Sequence, residues 1–104
     1  MKIFSNPEVE EKYRKLGFTL SDLSLKLTVG GVSVYAVEHL FKGVRLTFES
    51  FTSRTMCQYE ASLPEKCSVE QIAGLIYVNI AQNHRDSASA WQTHFARLGI
   101  PLFQ

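Results

Sequence analysis

Leu23-Ser24-Leu25-Lys26-Leu27-Thr28-Val29-Gly30-Gly31-Val32-Ser33-Val34-Tyr35-Ala36 decides the fold of this chain. Apolar side chains fall at every second position on both sides of the glycine pair, which is the period of a half-buried strand. A two-residue Gly-Gly loop suits a type I′ hairpin turn, because both central residues need positive φ. Closing the turn at Gly30-Gly31 sets Val29 opposite Val32, Leu27 opposite Val34 and Leu25 opposite Ala36. Leu23 continues the same face. Turn chemistry and hydrophobic pattern thus demand one register.

Two further alternations follow. Val44, Leu46 and Phe48 alternate with Arg45, Thr47 and Glu49, and Cys57, Tyr59, Ala61 and Leu63 with Met56, Gln58, Glu60 and Ser62. With the hairpin they make a four-stranded antiparallel meander carrying one solvated face. Phe18 and Leu20 also alternate, but out of phase with Leu23, so Ser21-Asp22 marks a bulge or the strand start.

Helices flank the sheet. Asn6 is an N-cap with Pro7 at the first helical position, and Val9, Tyr13 and Leu16 form a narrow apolar stripe that Gly17 ends. Glu8–Lys12, Glu10–Arg14 and Glu11–Lys15 stand at i, i+4 spacing. Pro64 ends the sheet. Ser68-Val69-Glu70-Gln71 spells a capping box, with Cys67 and Ile72 as its hydrophobic staple. The helix it opens carries Val69, Ile72, Ala73, Ile76 and Ile80 on one face. Leu75, Tyr77 and Val78 widen that face until little polar surface remains, as in a central helix covering the sheet. After a break at Asn83 to Asp86, Ala88, Trp91, Phe95 and Leu98 form the stripe of a last helix capped by Gly99. The expected architecture is α+β: an N-terminal helix, a four-stranded antiparallel sheet and two C-terminal helices packed on one face, in a single domain spanning 1–104. Its core is Leu25, Leu27, Val34, Leu46, Phe48, Tyr59, Leu63, Ile72, Ile76, Ile80, Trp91 and Phe95.

The chemistry is sparser than the fold. Eleven basic and ten acidic side chains leave a net charge of +1, which exerts no long-range pull on nucleic acid or anionic membrane. The longest apolar run, Ile72 to Val78, is far short of a membrane span and is interrupted by Gly74. Met1 to Glu8 lacks the apolar run of a secretory signal, so Cys57 and Cys67 are expected to be reduced thiols in the cytoplasm. His39, His84 and His94 have no ligand spacing and neither cysteine belongs to a C-x-x-C pair, so no metal and no cofactor is expected. His84-Arg85-Asp86 spells the start of a kinase catalytic loop, but Trp91 stands where the metal-binding Asn is needed and no glycine-rich phosphate loop exists. His84 and Arg85 are better read as cations at a helix C-terminus. Glu38 and Glu49 offer nothing that separates a general acid from a general base. No catalytic residue is assigned.

What remains is the outward sheet face, where Lys26, Tyr35, Val37, Arg45, Thr47, Met56 and Gln58 are expected together. Tyr, Val, Met and Arg beside Lys resemble the make-up of protein interfaces. The expected function is a small non-enzymatic protein that binds another protein, through this face or the charged N-terminal helix, as an inhibitor or adaptor of the kind found among immunity factors and the anti-defence proteins of phages and mobile elements. Self-association as a homodimer, through an edge strand or the last helix, is compatible with the pattern. The alternative is nucleic-acid binding through Lys26 and Arg45. The helix–meander–helix order resembles double-stranded-RNA-binding domains in topology, but the helix at Ser68 lacks their basic start and Val44 to Phe48 lack the aromatics of an RNA-recognition motif. A third reading is a small enzyme using a thiol or histidine.

Overall fold

The Gly30-Gly31 turn folds as its chemistry requires. In a computed structural model, which describes residues 4–38, 43–50, 57–64 and 66–102 (57–62 as backbone), both glycines hold positive φ, +58° and +81°. The order of elements is α1 (Pro7–Lys15), β1 (Thr19–Ser21), β2 (Ser24–Val29), β3 (Val32–Glu38), β4 (Val44–Ser50), β5 (Cys57–Leu63), α2 (Val69–Asn83) and α3 (Arg85–Arg97). The strands form an antiparallel sheet in the order β1-β2-β3-β4-β5. It is the four expected strands with a three-residue strand, β1, added at one edge.

The hairpin register is the expected one: Val29 faces Val32, Leu27 faces Val34 and Leu25 faces Ala36. Leu23 departs from it. Asp22 takes φ +51° and turns the chain between β1 and β2, leaving Leu23 at the turn and 79% exposed instead of on the core face. The Gly-Gly turn also has a neighbour that no local pattern announces. Ser87, in the first turn of α3, is buried and donates its hydroxyl hydrogen to the Gly30 carbonyl. Ala90 lies so near that a Cβ on Gly30 would come within 3.0 Å of its own. Glycine is needed at this turn for close approach as well as for φ.

α1 begins at Asn6, whose side chain accepts the Glu8 N–H, and ends in a Schellman motif. There Phe18 N–H reaches the Tyr13 carbonyl and the Phe18 ring meets Tyr13 edge-on at 5.4 Å. Of the three acidic–basic spacings, Glu10–Arg14 closes at 3.0 Å and Glu11–Lys15 at 3.9 Å. Lys12 instead donates to the Cys67 carbonyl at 3.0 Å, tying α1 to the entrance of α2. Tyr13 is fully buried, and burial, reinforced by the neighbouring Cys67, raises its phenol well above the ordinary value and keeps it neutral.

α2 opens with the capping box: Gln71 N–H donates to Ser68 Oγ while Ser68 N–H donates to the Gln71 side chain. Its buried residues are Ile72, Ala73, Ile76 and Ile80. All four belong to the expected apolar face; of the residues expected to widen it, Leu75 and Tyr77 are half-buried and Val78 is 46% exposed. One side of the helix joins the core shared with the sheet and α3.

His84 alone separates α2 from α3, its N–H on the Ile80 carbonyl and its carbonyl accepting the Ser87 N–H. It is not a solvated cation. The ring is buried, and burial lowers its pKa and favours the neutral imidazole. Arg85 opens α3 and is exposed. In α3 the buried residues are Ser87, Trp91 and Phe95; Ala88 is half-buried, and Leu98 is the C-cap residue and 44% exposed. Ile100 N–H closes the expected Schellman motif on the Phe95 carbonyl at 3.0 Å.

Phe4, Val9, Leu16 and Phe18 join the strand residues Leu25, Leu27, Val32, Val34, Ala36, Val44, Leu46, Phe48 and Leu63 in one core with the buried faces of α2 and α3. Every strand residue in that core comes from a single face of the sheet. Of the expected core, the Tyr59 side chain lies outside the described residues.

Candidate protein-binding face of the sheet

The other face assembles row by row from strand register. Lys26, Tyr35 and Thr47 are directly opposed across β2, β3 and β4, and Val37 stands beside Arg45 in the adjoining row. Cross-strand neighbours of this kind have Cβ atoms about 5 Å apart. Five residues separated by up to 21 sequence positions, from Lys26 to Thr47, thereby become one patch. Gln58 stands opposite Glu49 in β5, on the same face by register, while Met56 lies outside the described residues.

The patch is part apolar and part charged. The Lys26 ammonium sits 5.4 Å from the centroid of the Tyr35 ring, a cation–π contact that holds the ring across the strands. Lys26, Tyr35, Val37 and Thr47 are half-buried and Arg45 is exposed. Such a surface gives up little backbone freedom when covered, because its residues stand on paired strands rather than loops.

A third row escaped the sequence reading. Thr28, Ser33 and Glu49 lie across the same three strands, with the Thr28 and Ser33 hydroxyls 2.8 Å apart. Their signal was present in the alternation, since Thr28 shares parity with Lys26, Ser33 with Tyr35 and Glu49 with Thr47. Being small or acidic, they did not stand out by residue type.

The carboxylates do not make an acid–base pair. Glu38 is opposite Val44 and Glu49 opposite Ser33, so the two stand at different ends and on different faces of the sheet. Glu38 instead accepts both the backbone N–H and the hydroxyl of Ser5, anchoring the segment that leads into α1. His94 bonds through Nε2 to the Leu16 carbonyl at 2.7 Å and contacts Trp91 and Phe95 edge-on, a structural placement at the end of α1. Cys67 is a free, half-buried thiol packed against the core at the entrance of α2, as its staple position suggests. His39 and the Cys57 side chain lie outside the described residues. Among the described residues, no three His, Cys, Asp or Glu side chains converge on a point that would hold a metal ion. Nor, among the described residues, is any helix long and apolar enough to cross a membrane.

No family model matches the chain, and no curated protein or solved structure shows detectable similarity to it.

Proposed function

We propose that this chain is a small non-enzymatic protein that binds another protein through its outward sheet face, acting as an inhibitor or adaptor of the immunity or anti-defence type. The observation that carries the reading is the contiguous patch of Lys26, Tyr35, Thr47, Val37 and Arg45 on the face opposite the core. Three helices serve the other face, whose strand side chains supply the core. A sheet with one face so occupied and the other set with Tyr, Val and Arg has the residue types that anchor interfaces. Glu49 beside Ser33 adds an acid to the two cations, and a mixed-charge surface suits a protein partner better than a run of phosphates.

The test is capture of partners by the tagged protein from cells of its source organism, with and without nuclease, followed by mass spectrometry. Support would be a stoichiometric protein that survives nuclease and is lost, by at least about tenfold in affinity, with Tyr35→Ala and with Arg45→Glu in folded protein. A partner retained by both variants would overturn the sheet-face assignment. Recovery of nucleic acid alone, with binding that falls steeply as salt rises, would replace the reading with phosphate recognition by Lys26 and Arg45.

A further inference from the structure

The outer side of α2 is an apolar surface on the helix layer, away from the patch described above. Helical residues advance by about 100° each, so Gly74 and Val78 fall on the side opposite Ile72, Ile76 and Ile80. Val78 projects there, 46% exposed. At Gly74 a side chain would meet nothing within 4 Å. Together with Glu70, Gln71 and Leu75, these two residues line an open apolar depression of about 390 Å³. After Glu70 no residue of α2 carries a formal charge.

A projection and a hole of matching character, four residues apart on one helix, complement each other under a two-fold rotation. We infer that the occupant of this face is a second copy of the chain, its α2 crossing antiparallel with the axis near Ile76. Residues whose numbers sum to 152 then meet. Val78 of each copy enters the hole at Gly74 of the other, as in knobs-into-holes packing. Gln71 covers the small Ala81, and Glu70 meets the Gln82 amide instead of another Glu70. Exposed Arg85, just beyond α2, adds a cation at the end that Glu70 approaches. An isologous interface must tolerate its own charges, and a neutral stripe with one acid displaced from the axis does so. This places self-association on α2, not on an edge strand or the last helix.

Sedimentation velocity over a concentration series should show a reversible monomer–dimer equilibrium. Val78→Asp, at an exposed site, and Gly74→Glu, where a Cβ would meet nothing within 4 Å, should weaken it by at least about tenfold. Gly74→Glu should at the same time raise the Tm of the monomer, because glycine is the poorer helix former. In a Cys57→Ser, Cys67→Ser background, mixed Gly74→Cys and Val78→Cys chains should oxidise to the 74–78 heterodimer faster than to either homodimer. A chain monomeric at every concentration, or a dimer indifferent to both substitutions, would overturn the inference. So would 74–74 or 78–78 cross-links forming first.

Discussion

Substituting alanine for Gly30 tests whether the hairpin turn is wedged against α3, a contact that also steadies the strands bearing Lys26 and Tyr35. Two costs add at this site. A left-handed φ of +58° costs an L-residue about 1–2 kcal/mol. The new methyl would also lie 3.0 Å from the Ala90 Cβ and 3.5 Å from the Ser87 Cβ, and overpacking of this kind costs about 1–3 kcal/mol. Lower entropy of the unfolded chain returns about 0.4–1 kcal/mol. The expected loss is therefore about 1–5 kcal/mol, centred on about 3 kcal/mol. Gly99 is the internal control, since its φ is +72° but a Cβ there would meet nothing within 4 Å. Gly99→Ala should lose only the backbone cost less the entropy gain, about 1 kcal/mol. Urea unfolding followed by circular dichroism measures both, and the gap should also appear as a Tm difference of about 4–8 °C per kcal/mol. Pairing Gly30→Ala with Ala90→Gly should recover part of the loss as a coupling energy. Equal losses at Gly30 and Gly99, or no coupling to Ala90, would refute the wedge.

The remaining predictions concern α2 and the joint after it. Ile76 is fully buried, so Ile76→Asp places an unpaired carboxylate in the core at a cost comparable to the whole stability of a small domain. The variant should be unfolded by circular dichroism, and cooperative unfolding at the unchanged Tm would contradict the core position of α2. His84 is buried with its pKa lowered, so below about pH 6.5 the unfolded chain binds a proton that the folded chain resists. Stability should be at its full value above that pH and decline as pH falls through the range below it. A pH series of melting curves should show the decline flattened in His84→Gln, and an unchanged acid limb in that variant would show that other groups govern it.

How much was legible in advance differs by element. Gly30-Gly31 and the alternations beside it settle the β2–β3 register locally, because turn geometry and side-chain period agree and a one-residue slip would invert every side chain. The caps were legible for the same reason. Asn6, Ser68 and Gln71 satisfy backbone groups within three residues of themselves, so no distant neighbour is needed to place them. Lys12 shows where local reasoning stops: its spacing from Glu8 is favourable, yet the Cys67 carbonyl of a remote segment wins it. Leu23 shows the same for strand ends, where a turn at Asp22 overrides the alternation.

The candidate patch was legible as a set of parities, and strand pairing then set Lys26 beside Tyr35 and Val37 beside Arg45. By itself, the sequence determined the order and type of the helices and longer strands, the hairpin register and which strand residues share a face, since each follows from spacing along the chain. Only the tertiary structure decided that Val78 on the outer side of α2 is left uncovered, why Ser87 rather than Ala88 is buried, and that His84 is enclosed. Those depend on where other elements lie: Ser87 is buried because its hydroxyl reaches the Gly30 carbonyl of the hairpin turn, a partner remote in sequence.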